Sequence, residues 1–251
     1  MLRKLLVATA ALAMTASAAT THRLATFNIR CYAVEDTEGR DWRYRGIKCA
    51  EAIKNYSFDI VGLQEVNGPG KGYYNPLTGR VPLEDMKAWL QEDYDWVTWD
   101  NLIVSRATME YECICYKRAR YEVLETGSFY ISPTPDVHSQ GWDPAIQSYH
   151  RLVGWAKMKD RQSGETLVFA TTHTNNGRSL DGPYGSQLVS ERVKKVAGDL
   201  PVVVVADYNM SRTLAYDQMA QKAYHASFYD AAEECPSETN YSVPIGPRNA
   251  I

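Results

Sequence analysis

The sequence predicts an α/β fold in which two β-sheets pack against each other and helices cover their outer faces. Segments typical of strands and of helices alternate along most of the 251 residues. This number of strands with helices between them favours two packed sheets with helices outside them. The composition, 45% hydrophobic and 23% charged, is that of an ordinary globular protein. A chain of this length holds one large domain or two small ones, and no internal repeat divides it.

The first 19 residues are predicted to be a signal peptide rather than part of the fold. Arg3 and Lys4 precede an apolar stretch from Leu5 to Met14, and Ala16-Ser17-Ala18 has the small-x-small form of a cleavage site. The apolar stretch is too short for a permanent membrane span. We therefore expect a secreted or periplasmic protein, with residues 20–251 forming one domain and no stable membrane span.

The first half of the mature chain begins with strands and helices in alternation. A partly alternating run and a short apolar run predict two strands, and helical spacing places Ile47, Ala50 and Ile53 on one side of the helix between them. A Gly- and Pro-rich stretch follows as a loop. In order, the elements are strand Arg23–Arg30, helix Arg43–Tyr56, strand Phe58–Glu65, loop Gly68–Gly79 and helix Leu83–Leu90.

The second half is richer in β-structure. Two of its strands form a predicted hairpin around the turn Arg161–Gly164, and four consecutive valines predict a central strand that is buried on both faces. In order, the elements are strands Tyr94–Trp99, Glu110–Tyr116 and Tyr121–Tyr130, loop Pro133–Pro144, strands Leu152–Lys159 and Thr166–His173, helix Ser186–Ala197, strand Pro201–Asp207 and helix Thr213–Lys222.

Charge and cysteine content narrow the function classes. Loss of Arg3 and Lys4 with the signal peptide takes the net charge from −3 to −5, which disfavours a protein that tracks a long nucleic acid. The five cysteines are an odd number, so at least one is free or paired between chains in an oxidising compartment. Cys113 and Cys115 are predicted to be buried thiols on one strand face.

Several of the predicted apolar strands end in polar residues. Asn28, Glu65, His173 and Asp207 each occupy such a position, with further carboxamides beside them. Each residue alone has an ordinary structural explanation, since Asp207 could open a turn and a single His173 is more often structural. Their joint occurrence at four strand ends predicts a site for a hard cation and a phosphate group.

These segments resemble the motifs of the endonuclease/exonuclease/phosphatase superfamily, and the stretches between them resemble its secreted bacterial branch. The resemblance runs from about Leu24 to the C-terminus and implies a four-layer α/β/β/α sandwich of two mixed β-sheets. It rests on Thr26-Phe27-Asn28-Ile29-Arg30, Leu63-Gln64-Glu65-Val66, Thr172-His173-Thr174-Asn175 and Asp207-Tyr208-Asn209, with Gly127–Ser132, Gly141-Trp142-Asp143 and Trp155-Ala156-Lys157 between them.

The resemblance also implies roles for individual residues. Glu65 would be the main Mg²⁺ ligand with Asn28 beside it, and Mn²⁺ could replace the ion. Asp207 would orient or deprotonate the attacking water, and Asn209 would bind phosphoryl oxygens. His173 would contact the phosphate or assist the leaving oxygen.

Three further positions bear on substrate binding or depart from the family pattern. Arg151 matches a phosphate-binding arginine, whose forked guanidinium suits two oxygens. Asn175 stands where the family has Asp, and keeps an acceptor oxygen without the charge. Glu110 matches an acid that often lies in the cleft of this branch.

The C-terminus departs from the family pattern as well. The sequence stops at Ile251, where the family would begin an Ile-Asp strand that leads to a terminal Asp-His pair, and no Asp is followed directly by His in this chain. The expected sandwich is therefore C-terminally incomplete, through truncation of the gene product, a fragment or a shortened homologue. We favour truncation.

The predicted function is that of a metal-dependent phosphoester hydrolase, namely a phosphodiesterase, phosphatase or nuclease, with activity weakened or absent in the chain as it stands. The alternative is a non-catalytic relative that binds phosphate or glycan. The expected partner is a phosphoester substrate, either a small molecule or a nucleic acid, and the protein is expected to be a monomer.

Overall fold

Two four-stranded β-sheets form the centre of the protein. The structure is a computed structural model, and it describes residues 21–31, 41–69, 74–100, 110–142, 149–175 and 181–209. The predicted signal peptide, the predicted helix Thr213–Lys222 and the C-terminal residues lie outside the described residues. No helix among the described residues is long and apolar enough to cross a membrane.

Each sheet combines parallel and antiparallel pairing. The first sheet has the order β1-β2-β4-β3, in which only β1 and β2 are parallel, and the second has the order β5-β6-β7-β8, in which only β7 and β8 are parallel. The strands are β1 Leu24–Asn28, β2 Ile60–Asn67, β3 Tyr94–Asp100, β4 Glu110–Lys117, β5 Tyr121–Tyr130, β6 Leu152–Asp160, β7 Thr166–His173 and β8 Val202–Asp207.

Helices make the two parallel connections and cover the outer faces. Helix α1 (Trp42–Asn55) lies between β1 and β2 in the chain, and α3 (Asp181–Ala197) lies between β7 and β8, as crossovers between parallel strands require. Helix α2 (Pro82–Leu90) contacts α1 and the first sheet. Both crossovers bring the ends of parallel strands to a common edge.

Three hydrophobic clusters separate four layers. One packs α1 and α2 against the first sheet through residues such as Ile53, Met86 and Leu63. A second fills the space between the sheets, with Ile60, Ile114 and Phe169 among its members. The third packs α3 against the second sheet. The predicted α/β/β/α sandwich of two mixed sheets is therefore confirmed.

The buried face of α1 differs from the predicted one. Ile47 is 37% exposed, whereas Trp42, Gly46, Ala50 and Ile53 are buried, so the prediction for Ile47 was wrong. The indole of Trp42 lies against Gly46, where an added Cβ would come within 2.7 Å of it. This contact centres the buried stripe on the side of Gly46 and turns Ile47 towards solvent.

Strand β8 also differs from its prediction. In the described part of the chain it pairs only with β7, and all six of its residues are half-buried. Its valines alternate between clusters, since Val202 and Val204 pack towards α3 while Val203 and Val205 pack between the sheets. The valine run thus reflects packing on two faces, with each valine half-buried rather than fully buried.

Candidate active site

Four strand-end residues meet at one edge of the sandwich. Asn28, His173 and Asp207 are the last residues of β1, β7 and β8, and Glu65 lies near the end of β2. The amide nitrogen of Asn28 donates to Glu65 Oε1 and to Asp207 Oδ2, at 2.8 Å in each case. The structure therefore brings these predicted residues together, although they come from two different sheets.

A bulge in β2 turns Glu65 into this cleft. Successive side chains of a regular strand point to opposite faces, and Gln64 already points towards the second sheet, where it bonds Thr171. The register of β2 against β4 shifts between Leu63 and Val66, and Glu65 has a left-handed φ of 58°. An extra residue of this kind changes the direction of its side chain. The side chains of Gln64 and Glu65 therefore both lie on the inner side of the first sheet, which faces the second sheet.

Glu65 and Asp207 form an acidic centre, and neither carboxylate pairs with Arg or Lys within the described residues. The groups that bond them are neutral, namely the Asn28 amide, the N–H groups of Cys31 and Asn209, and the Cys31 thiol. Ligand atoms of Glu65, His173 and Asp207 lie within 4.8 Å of one another. The two carboxylates fit a hard divalent cation, and the imidazole lies beside them.

Glu65 is held in its ionised form. Burial alone raises the pKa of this carboxyl, but the hydrogen bonds from Asn28 and from the Cys31 N–H, together with His173, outweigh burial and lower the pKa overall. Asn28 turns its amide nitrogen to the carboxylates, while its oxygen accepts from the N–H of Arg30 at 2.8 Å. Asn28 thus holds the two acids together here, and its role as a metal ligand stays a prediction.

His173 lies directly beside the acidic centre and is almost fully buried. Its Nε2 is 2.8 Å from the Asn209 amide nitrogen, 3.6 Å from Asp207 Oδ2 and 4.0 Å from Glu65 Oε1. Burial, and then the charge of Arg151, lower the pKa of His173 to about 4, although the two acids favour its protonation. The ring is therefore neutral at neutral pH.

Arg151 and Asn175, the predicted substrate-binding residues, lie behind His173. Arg151 is only 4% exposed. Its Nη1 lies 3.0 Å from His173 Nδ1, and its Nε donates to Asn175 Oδ1 at 3.3 Å. Glu110 of β4 lies 3.7 Å from the same Nη1, and the ring of Tyr149 lies 4.8 Å from the guanidinium carbon. Direct contact of Arg151 or Asn175 with a substrate stays a prediction.

Hydrogen bonds of Gln64 form a polar bridge beneath the site, and the sequence predicted no role for this residue. Gln64 is fully buried and joins both sheets, because its Oε1 accepts from Thr26 Oγ1 at 3.2 Å and its Nε2 donates to Thr171 Oγ1 at 2.9 Å. Asn28 and His173 each lie two residues beyond a threonine of this bridge. A carboxamide at the end of an otherwise apolar run was the available signal for it.

Comparisons of sequence alone give no match, either with family models or with curated proteins. Comparison of structures gives matches over most of the chain. A mannosyl-6-phosphatase from Bacteroides thetaiotaomicron aligns with a TM-score of 0.66 and 26% identity, over 80% of this chain and 71% of that one. The catalytic domain of human Nocturnin, solved with bound sulfate, aligns at 14% identity with a TM-score of 0.58, over 87% of this chain and 75% of that one. At this identity the match shows a shared fold alone.

A further match carries the family name itself. An endonuclease/exonuclease/phosphatase from Bacteroides vulgatus aligns at 28% identity with a TM-score of 0.65, over 78% of this chain and 69% of that one. The paired mixed sheets and the strand-end acids that they bring together agree with this match. The chain is therefore similar to endonuclease/exonuclease/phosphatase family proteins in fold over most of its length.

Proposed function

We propose that this protein is a divalent-metal-dependent phosphoester hydrolase whose active site is the strand-end cluster around Glu65, His173 and Asp207. The observation that carries the proposal is the pair of carboxylates held on one carboxamide, Asn28, with no Arg or Lys partner in the described part of the chain. Such a pair leaves negative charge for a cation to neutralise. The phosphatase and nuclease names among structural relatives support the same reaction class.

The proposed cofactor is Mg²⁺, with Mn²⁺ as a substitute. Both are hard cations that prefer carboxylate oxygens and retain several waters. Glu65 and Asp207 would hold the ion, with Asn28 as a further predicted ligand, and when bound the ion supplies Lewis-acid polarisation of a phosphoryl oxygen.

The remaining chemistry belongs to the side chains. Asp207 would orient the attacking water and accept its proton, which an ionised carboxylate beside the reaction centre can do. Neutral His173 would donate a hydrogen bond from Nε2 to a phosphate or leaving-group oxygen. Asn209, whose N–H donates to Asp207 Oδ1 at 3.0 Å, would bind phosphoryl oxygens. Donors that are fixed before the reaction stabilise developing charge most effectively.

The finer proposal concerns the substrate. Sugar phosphates are the first class to test, because a mannosyl-6-phosphatase is among the relatives at 26% identity. The acidic balance of the chain, −3 overall, weighs against a long polyanion. Phosphodiesters and short nucleic acids are the other outcomes that the assay distinguishes.

The site of action is part of the same proposal. Residues 1–19 would direct export and be removed, so that residues 20–251 act outside the cytoplasm. Expression of the whole chain in a secreting bacterial host, followed by mass measurement of the exported protein, tests this. An exported chain that retains Arg3 and Lys4 would contradict it.

The deciding experiment measures hydrolysis of mannose 6-phosphate, p-nitrophenyl phosphate and bis-p-nitrophenyl phosphate with Mg²⁺ or Mn²⁺ and with a chelator. We expect activity that the chelator abolishes and that Glu65→Gln lowers by about 10²–10³-fold, the range for loss of one electrostatic group in a site. The matched control is Glu125→Gln, which removes an exposed carboxylate paired with Lys157 and should leave the rate unchanged.

Two outcomes would count against the proposal. Hydrolysis that survives both the chelator and Glu65→Gln would sink the assignment of the acidic centre. Binding of inorganic phosphate without hydrolysis of any of the three substrates would favour the non-catalytic alternative instead.

A further inference from the structure

We propose that Arg151 is a positioning residue that fixes the tautomer of His173, keeping its proton on Nε2, and that Glu110 holds Arg151 in place from the opposite sheet. The catalytic consequence rests on the proposed function. The tautomer itself does not, and it can be measured in a protein that hydrolyses nothing.

The first step is the contact between the two side chains. Arg151 Nη1 lies 3.0 Å from His173 Nδ1. A guanidinium has only donors and keeps its proton in proteins, so Nδ1 must be the acceptor in this hydrogen bond. A neutral imidazole carries one proton, and it is therefore on Nε2, the nitrogen that faces the acidic centre.

The second step is the fixation of Arg151. The side chain is buried, and its backbone carbonyl accepts from the N–H of Ile131 at 2.7 Å. Asn175 accepts from Nε at 3.3 Å but carries no charge. Glu110 of the first sheet, 3.7 Å from Nη1, is its carboxylate partner among the described residues. A buried guanidinium needs such a partner, and this one ties the orientation of Arg151 to the packing of the two sheets.

The third step concerns the other ring nitrogen. Nε2 lies 3.6 Å from Asp207 Oδ2 and 2.8 Å from the Asn209 amide nitrogen, which also donates to the Thr174 carbonyl at 3.0 Å. A ring with one proton cannot accept from donors at both nitrogens, so the proposed tautomer requires a half-turn of that carboxamide, which places its oxygen at Nε2 and gives up the bond to Thr174. His173 is thus presented to the site as a hydrogen-bond donor. A ring with its proton on Nδ1 would present a lone pair there and could not stabilise a phosphoryl or leaving oxygen.

The direct test is nitrogen-15 NMR of the histidine rings, with the His173 signals assigned by their loss in His173→Gln. In the wild-type protein at neutral pH and without metal, we expect an unprotonated Nδ1 and a protonated Nε2. In Arg151→Met, we expect Nδ1 to acquire protonated character, either as the other tautomer or as imidazolium. Arg151→Lys keeps a donor and should restore the wild-type pattern in part, while Glu110→Gln should shift it in the direction of Arg151→Met by a smaller amount.

The kinetic arm separates positioning from substrate binding. If Arg151 acts through His173, Arg151→Met lowers kcat by about tenfold or more and leaves KM nearly unchanged, as expected for an interaction realised in the transition state. The exposed Arg161 supplies the matched control, Arg161→Met, which should alter neither value.

Several results would overturn the inference. A protonated Nδ1 in the wild-type protein would do so, as would an unprotonated Nδ1 that persists in Arg151→Met. A rise in KM with an unchanged ring pattern would assign Arg151 to direct phosphate binding instead. If Arg151→Met does not fold, Arg151→Lys and Glu110→Gln decide by the same signals. Absence of hydrolysis in the wild-type protein would contradict the proposed function and leave the tautomer measurement valid.

Discussion

The two ends of the sandwich carry charge in opposite ways. At the site end, where β1, β2, β7 and β8 finish, the acids Glu65 and Asp207 meet around a neutral amide. At the other end, which we call the closed end, Arg120 bridges Asp59 at 2.7 Å and Asp160 at 3.0 Å. Lys117 also pairs with Asp59 at 3.0 Å, so the two acids there are matched by two cations.

The two ends of the sandwich also differ in their backbone φ angles. Among the described non-glycine residues with left-handed φ, three lie at the site end, namely Arg30, Glu65 and Asn209 at 55°, 58° and 48°, and one, Ser57 at 51°, lies at the closed end. Such conformations are costly and persist where the surrounding structure enforces them, often at functional sites. The comparison teaches that the closed end satisfies its charges within the protein, whereas the site end keeps negative charge and strain that a ligand can relieve.

The largest expected effect is at the closed end. Arg120→Met leaves Asp59 and Asp160 buried without their shared cation, so it should lower the free energy of unfolding by about 3–5 kcal/mol. Denaturant titration measures this. Arg161→Met, which breaks the exposed pair with Glu122, is the control and should cost about 0–1 kcal/mol. Equal losses in both variants would erase the distinction between a structural charge cluster and an ordinary surface pair.

The next effect concerns the site end, where a bound metal ion should stabilise the folded protein. Mg²⁺ or Mn²⁺ at about 100 times its Kd should raise the free energy of unfolding by roughly 2.7 kcal/mol, because the ion binds the folded state and not the unfolded chain. Thermal unfolding with and without metal measures the shift, and Glu65→Gln should remove it. Retention of the full shift in that variant would place the ion elsewhere.

A smaller effect is expected at the bridge beneath the site. Gln64→Leu removes two hydrogen bonds, one to Thr26 within the first sheet and one to Thr171 in the second sheet. Two threonine hydroxyls lose this partner, which should cost about 1–3 kcal/mol. Activity should fall as well, because Asn28 and His173 follow the threonines of the bridge. The control Gln91→Leu changes an exposed residue and should stay within about 0.5 kcal/mol. A Gln64→Leu protein as stable and as active as wild type would show that the bridge is dispensable.

The response to acid distinguishes the two ends by the pH at which stability is lost. His173 has its pKa lowered to about 4 in the folded protein, so the unfolded chain binds more protons between pH 4 and about 6.5, and stability falls as pH drops through this window. The slope from one such group is at most about 1.4 kcal/mol per pH unit.

The closed end should respond at lower pH. Burial raises the pKa of Asp59 and of Asp160, but their hydrogen bonds and cations lower it overall, so their contribution is present above pH 3.8 and is lost as pH falls through their folded values. Chemical denaturation of metal-free protein at several pH values separates the steps. His173→Gln should flatten the upper one and Asp160→Asn the lower one, and a variant that flattens the wrong step contradicts the comparison.

Strand positions were predictable to within a few residues because apolar runs and alternation are local signals. Strand Phe58–Glu65 corresponds to β2 at Ile60–Asn67, and Thr166–His173 matches β7 without change. Burial of Cys113 and Cys115 followed from their spacing and is confirmed. The prediction for Ile47 was wrong because the contact of Trp42 with Gly46, a tertiary detail, decides which helix face is buried.

The closed end gave no usable sequence signal. Asp59, Arg120 and Asp160 lie at or beside turns, where charged residues are usually solvated. They meet only because the turn after β4 reaches both the start of β2 and the end of β6. Burial then makes their pairing consequential, since a charge removed from water requires a partner.

The residue types at the strand ends can be read from the amino-acid sequence, and so can the alternation of elements that brings strand ends to a common edge. Which of these polar groups meet depends on the packing of the two sheets. The bulge that turns Glu65 inward, the single amide of Asn28 shared by two acids and the line from Glu110 through Arg151 to His173 all join segments far apart in the chain. Local patterns record backbone preference and hydrophobicity, whereas such contacts depend on the register and stacking of two sheets, which no short segment specifies.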